Sequence, residues 1–321
     1  MENIRLSANG LNFEVLVSGQ SSRLVLMLHG FPDDARSFIP MTRGLTGAGF
    51  CCAAPFLRGY RPTAVPPAVA GSSLQTIQVT DLVEDAATIA QQLKEQLGIK
   101  QLYLVGHDWG AIAAYATVQQ YPSLFARAVM MSVPPGRIFL RNLLRNPGQF
   151  WRSAYILYFQ IPWLPERRIR KGAGRYIETL WRAWNGDVSA YQDRIDEVID
   201  TLSAHENLRA ALAYYRGLLR PAPSQWRQWN QARRLLLARA AIPTLVLAGE
   251  RDRCIPPAMF AGSESWSADT GGDFRTIAKA GHFLPLEATA AVCEATLQFF
   301  ADEDQSPTAA NSSRARASSA S

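Results

Sequence analysis

The chain has 321 residues, 48% of them hydrophobic and 19% charged, with a formal net charge of +6. That length and balance support one large globular core with an insertion and exclude a disordered or collagen-like chain. Much of the positive charge lies in arginines between Arg137 and Arg239, without a nucleic-acid-binding motif or a matching aromatic platform. A solvated basic face is the favoured reading, and weak attraction to anionic membrane surfaces is the alternative.

In chain order, Ile4 to Ala8 and Leu11 to Ser18 flank Asn9-Gly10, a pair that suits a hairpin turn. Leu24 to Leu28 is a continuous apolar run, as expected of a strand covered on both faces, and leads into His29-Gly-Phe-Pro-Asp33. A helix is predicted over Ser37 to Ala48, a second buried strand over Phe50 to Ala54, and a Pro- and Gly-rich surface loop over Pro55 to Ser73. Thr80 to Leu97 has helical periodicity, with Asp81, Glu84 and Asp85 in its first turns, where the helix dipole favours them.

The run Leu102 to Gly106 predicts another strand, and an alanine-rich helical pattern begins after Gly110. Between the two glycines stand His107, Asp108 and Trp109. This is the form of a nucleophile elbow, where a strand turns so sharply into a helix that one side chain is thrust out at the tip. The tip is Asp108, where most such elbows carry Ser.

Phe125 to Ser132 is the next predicted strand. Gly136 to about Ala240 is then helical in pattern, rich in Trp, Tyr and Arg, with no clear strand. Alternation returns with a strand over Thr244 to Ala248, a helix, a strand over Phe274 to Ile277, and a final helix over Leu286 to Phe300. Such alternation predicts an α/β protein with a mostly parallel sheet and helices on both faces. Cys51, Cys52, Cys254 and Cys293 lack metal-ligand spacing and read as reduced thiols of a cytoplasmic protein. The start Met1 to Ser7 lacks the apolar core of a secretory signal, and no apolar run is long enough to cross a bilayer.

In a parallel sheet the ligand site lies at the carboxyl ends of the strands. Asp108, Asp252 and His282 all fall at such ends. Alone, Asp108 could be a helix cap, Asp252 a turn residue and His282 a loop histidine. Together, in the order nucleophile, acid, histidine and with His29-Gly-Phe-Pro32, they resemble the α/β-hydrolase family across roughly residues 3 to 300. The resemblance implies a doubly wound sheet with an inserted helical cap. The core is expected over residues 1–135 and 241–301, the cap over 136–240, and a disordered tail over 302–321.

An Asp nucleophile changes the chemistry. A carboxylate that attacks a saturated carbon forms an ester, which water can cleave, whereas a serine would form an inert ether. Asp108 therefore points to alkyl transfer, with epoxides or alkyl halides as substrates. His282 is the expected general base and Asp252 its orienting partner. The backbone N–H groups of Phe31 and Trp109 are the expected oxyanion donors, and the Phe31–Pro32 bond is a candidate cis peptide.

Two further motifs separate the substrate classes. Tyr155-Ile-Leu-Tyr-Phe-Gln160 and Ala213-Tyr-Tyr-Arg216 resemble the cap motifs of the α/β-hydrolase epoxide hydrolases. That resemblance implies that Tyr155 and Tyr215 polarise the oxirane oxygen, that Tyr158 and Tyr214 serve packing, and that no metal or organic cofactor takes part. Phe56 stands where this family usually has Asp, a change expected to alter loop packing only. Trp151, Phe159, Trp163, Trp181 and Trp184 imply a lipophilic pocket for a small lipophilic epoxide. The alternatives are a haloalkane dehalogenase, for which Trp109 could supply one halide N–H donor but Phe31 stands where that family often adds an Asn or second Trp, and a non-catalytic ligand-binding member of the fold; a fluoroacetate dehalogenase would carry Arg in place of Trp109.

Overall fold

The computed structural model describes residues 1–301 except Ser73 and Ala173, so the expected disordered tail 302–321 lies outside the described residues. The strands are β1 (Glu2–Ala8), β2 (Leu11–Ser18), β3 (Arg23–Leu28), β4 (Cys51–Pro55), β5 (Gln101–His107), β6 (Arg127–Met131), β7 (Thr244–Gly249) and β8 (Asp273–Ile277). They form one sheet in the order β1-β2-β4-β3-β5-β6-β7-β8. The pairs β1–β2 and β2–β4 are antiparallel, and every other pair is parallel. Asn9 and Gly10 take φ of 48° and 76° and close the first hairpin with both residues in the left-handed region.

The unbroken apolar runs of the central strands now have a cause. Leu24, Leu26 and Leu28 of β3, with Leu102 and Leu104 of β5, enter one apolar cluster. Val25, Met27, Tyr103 and Val105 enter the other, on the opposite face. Because successive side chains point to opposite faces, a strand that helices cover on both sides must be apolar at every position. Helices Val79–Gln96 and Trp109–Gln120 contribute to the first cluster, and Ile39–Gly47 and Thr289–Ala301 to the second.

Several boundaries depart from the sequence reading. The expected surface loop contains a short helix, Pro67–Gly71, started by Pro at its first position. The helix expected after β7 is broken into 3-10 turns and a five-residue helix, Ser263–Ser267, entered through Gly262 at φ +94°. The final helix is split at Ala288 into Leu284–Glu287 and Thr289–Ala301. Between β6 and β7, the described residues form helices and 3-10 turns and no strand.

Candidate active site

The elbow is built by close approach. Asp108, between β5 and helix Trp109–Gln120, has φ +50° and ψ −118°, a strained conformation for a residue with a Cβ. The neighbouring glycines have no room to be anything else. A Cβ on Gly106 would lie 2.5 Å from the Gly110 carbonyl oxygen, and one on Gly110 would overlap the Leu28 carbonyl. The Asp108 carbonyl accepts from Ala111 and Ile112, at 2.9 and 3.1 Å, so the backbone starts the helix. Its side chain makes no capping hydrogen bond, which sets the helix-cap reading aside. Freed of that duty, the carboxylate is available to chemistry.

Its two oxygens are in different environments. Oδ1 accepts the backbone N–H of Phe31 at 2.7 Å. Oδ2 lies 3.6 Å from His282 Nε2, and that ring nitrogen has no hydrogen-bond partner. On the other side of the ring, Nδ1 is 2.8 Å from Asp252 Oδ2. Asp252 is held in turn by the N–H groups of Cys254 and Ile255, at 2.7 and 2.9 Å on Oδ1. The three residues thus form a continuous buried line from Asp108 to Asp252.

Charge follows from that line. Burial alone disfavours an ionised His282, but the carboxylates of Asp252 and Asp108 outweigh it and raise its pKa to about 10. The resting site therefore holds an imidazolium between carboxylates. Because the folded value exceeds the ordinary 6.5, the stabilisation is complete below about pH 6.5 and is lost as pH rises toward 10. In paired denaturation of wild type and His282→Gln, the stability advantage of wild type should shrink across that window. An advantage that stays level from pH 6.5 to 10 would show that the imidazolium is not held.

The Phe31 donor is itself positioned. Its peptide bond to Pro32 is cis. His29 Nε2 accepts the N–H of Leu57 at 3.0 Å, which leaves the proton on Nδ1 to donate to the Gly30 carbonyl, also at 3.0 Å. Burial lowers the pKa of His29 and keeps the ring neutral, as this pairing needs. Gly30 is obligatory, because a Cβ there would collide with Asp108. Trp109, the other expected donor, presents an N–H at the first helical position, where no intrahelical acceptor exists.

The two tyrosines come from separate helices of the insertion, Tyr155 from Ala154–Tyr158 and Tyr215 from His205–Leu219. Their ring centroids are 5.8 Å apart, and Tyr215 also packs edge-on against Phe31 and Trp109. Burial raises both phenols well above their ordinary pKa, helped next by the Cys254 thiol at Tyr155 and by the Asp108 charge at Tyr215, so both keep their protons. The Tyr215 hydroxyl has only the Trp109 indole N–H beside it, without a well-formed hydrogen bond, and that of Tyr155 has only a long 3.8 Å contact with Cys254 Sγ. By contrast, Tyr214 donates to the Arg58 carbonyl at 2.8 Å; the Tyr158 hydroxyl is also without a partner, but its ring packs against Phe159 and Tyr176.

The residues following each tyrosine explain the motifs. Gln160 Nε2 donates to the Tyr215 carbonyl at 2.9 Å. Arg216 is buried, paired with Glu166 at 2.8 Å and donating to the Phe159 and Ile161 carbonyls at 3.0 and 3.2 Å. Together they lock one tyrosine-bearing helix to the other. Phe159, Trp181 and Trp184 are buried near the site, and Trp184 lies edge-on to His282 at 5.0 Å. Trp151 and Trp163 do not join them; both face solvent, while Gln149 and Phe159 of the same segment turn inward.

Three contributors were not read from the sequence. Asn185 accepts the His282 N–H at 3.0 Å, Cys254 touches Tyr155, and His107 Nε2 donates to the His282 carbonyl at 2.8 Å. Burial lowers the pKa of His107 to about 4, so it is a neutral strut. Phe56 is buried beneath the Arg36 guanidinium, 5.7 Å from its ring centroid, in keeping with a packing role.

Comparison with known proteins places this geometry. A family model described as alpha/beta hydrolase fold matches residues 23–289. Epoxide hydrolase 4 of Homo sapiens is 26% identical over 255 residues, covering 78% of this chain and 65% of that protein. Epoxide hydrolase 3 of Mus musculus is 28% identical over 249 residues, covering 77% of this chain and 62% of that protein. The chain thus spans less than two thirds of the length of these two relatives. The crystal structure of Epoxide Hydrolase A from Mycobacterium thermoresistibile has the same fold, with a TM-score of 0.72 at 23% identity over 93% of this chain and 97% of that one. With the sheet order, the elbow after β5 and a family match over most of its length in agreement, the chain belongs to the α/β-hydrolase fold family.

Proposed function

We propose that this protein is an epoxide hydrolase that converts lipophilic epoxides to vicinal diols through an alkyl ester on Asp108. The observation that carries the reading is a pair of buried tyrosines, Tyr155 and Tyr215, both within reach of the Asp108 charge, beside a carboxylate aligned with His282 and Asp252. The names of the similar proteins support the same reading. In this account residues 136–240 are the cap, and residues 1–135 and 241–301 the core.

Oδ2 of Asp108 attacks an oxirane carbon and the C–O bond breaks. The departing oxygen takes a proton from Tyr155 or Tyr215, completing one hydroxyl of the diol. Ester formation removes one of the two carboxylates that hold His282 charged, so the imidazolium can return a proton to the tyrosinate. His282 is then neutral and can take a proton from water as the hydroxide adds to the ester carbonyl. The negative charge that develops on Oδ1 already faces the Phe31 N–H. On collapse the imidazolium protonates the departing oxygen, completing the second diol hydroxyl, and the Asp108 carboxylic acid so formed passes its proton back to His282, restoring carboxylate and imidazolium. A halide leaving group would need side-chain N–H donors; Trp109 offers one, but Phe31 supplies no second, whereas two phenols stand beside the nucleophile, which favours the epoxide.

Single-turnover hydrolysis of styrene oxide in oxygen-18 water, with enzyme in excess, tests the reading. The label should enter Asp108 while the first diol released carries none. Label in the first diol would mean direct attack by water, and the absence of any diol across a panel of epoxides would favour the ligand-binding alternative.

A further inference from the structure

Between Leu140 and Leu164 the helical insertion has two unlike sides. Inward, Asn142 donates to the carbonyls of Met259 and Ala261, at 2.9 and 3.0 Å, and Gln149 donates to that of Cys254 at 2.9 Å. Outward, Leu144, Trp151, Leu157 and Trp163 are 83%, 85%, 65% and 63% exposed. Eight of the thirteen exposed large apolar side chains among the described residues fall in this one stretch. Isolated surface leucines need no explanation, but so many exposed apolar side chains in one short run of helices is a density that suits a contact surface.

The same region is strongly basic. Gly136 to Lys171 contains seven arginines and one lysine, all exposed, against a single carboxylate, Glu166. Glu166 is buried and paired with Arg216, so it does nothing to offset the surface cations. Exposed tryptophan and leucine set among arginines suit one kind of surface, in which apolar side chains enter an acyl boundary while cations meet phosphates.

We propose that this outward face docks on anionic lipid membranes. Charge selects that occupant over a second copy of the chain, because a two-fold interface is self-complementary and would set the basic patch against itself. It also selects lipid over nucleic acid, which would engage the cations and leave Leu144 and Leu157 in water. The inward hydrogen bonds of Asn142 and Gln149 hold the face rigidly on the core, so binding needs no refolding. The proposal is independent of the reaction at Asp108.

Flotation of the full chain with vesicles tests it. The protein should float with vesicles containing about 30 mol% phosphatidylglycerol, and at least about tenfold less with phosphatidylcholine alone. Raising the salt should weaken the binding. Arg145→Gln with Arg152→Gln should weaken it by about 30-fold, and Leu144→Ser with Trp151→Ser by at least about tenfold. Thermal melts of both variants, expected to match wild type, show that the fold is kept. Equal flotation with both vesicle types, or none at about 1 mM lipid, overturns the proposal. So does a dimer that Leu144→Ser with Trp151→Ser dissociates in the absence of lipid binding, or preference for a DNA duplex over vesicles.

Discussion

His282→Gln is expected to lower steady-state epoxide turnover by about 10⁴-fold or more while leaving ester formation on Asp108 within about tenfold of wild type. The split follows from where the ring stands. Asp108 Oδ2 needs no base in order to attack, because it is a carboxylate whose other oxygen the Phe31 N–H already holds. Hydrolysis of the ester does need a base, and His282 Nε2, 3.6 Å from Oδ2, is the only imidazole nitrogen at that distance among the described residues. Intact-protein mass spectrometry after mixing with styrene oxide should show an adduct of one epoxide that persists for many wild-type turnover times. Peptide mapping should place it on Asp108. Loss of both half-reactions together, with the fold retained, would contradict the division of labour between the two residues.

The second large effect concerns the tyrosines. Replacing either Tyr155 or Tyr215 by Phe should slow ester formation by about 10²-fold, and replacing both by about 10³- to 10⁴-fold. Stability should respond differently. The Tyr215 hydroxyl is buried without a well-formed hydrogen bond, so Tyr215→Phe should leave stability unchanged or raise it by up to about 1 kcal/mol. A rate that falls while stability holds cannot be ascribed to damaged packing. If the double variant opened styrene oxide at the wild-type rate, the tyrosines would be core residues. Release of bromide from 1-bromobutane that survives both substitutions would move the chain to the dehalogenases.

The elements most legible in the sequence were those fixed by local sterics or by burial on both faces. Gly106 and Gly110 flank Asp108 because backbone passes within contact distance of each, and that constraint is visible as spacing. The runs Leu24 to Leu28 and Leu102 to Val105 read as strands because both faces are covered. The direction of a side chain in a helical insertion is another matter. Trp151 and Trp184 are alike as residues, yet one points to solvent and the other packs on His282, and only the docking of each helix decides which. Asn185 and Cys254 were missed for a related reason. Each acts on a partner far away along the chain, through a contact that no short-range pattern encodes.

One set of contacts joins the insertion to the loop after β3. Arg194 pairs with Asp33 and Asp34 at 3.0 and 2.5 Å, Thr201 donates to Asp34 at 2.9 Å, and the Trp181 indole donates to the Pro32 carbonyl at 2.9 Å. These partners follow directly on Phe31, whose N–H holds Asp108. The consequence is mechanical. Helices Arg175–Asn185 and Gln192–Thr201 are thereby tied to the segment that continues from the Phe31 peptide. A tilt of the insertion to admit a bulky guest would load these contacts and, through Pro32, the Phe31 peptide that holds Asp108, tying guest size to the placement of that carboxylate.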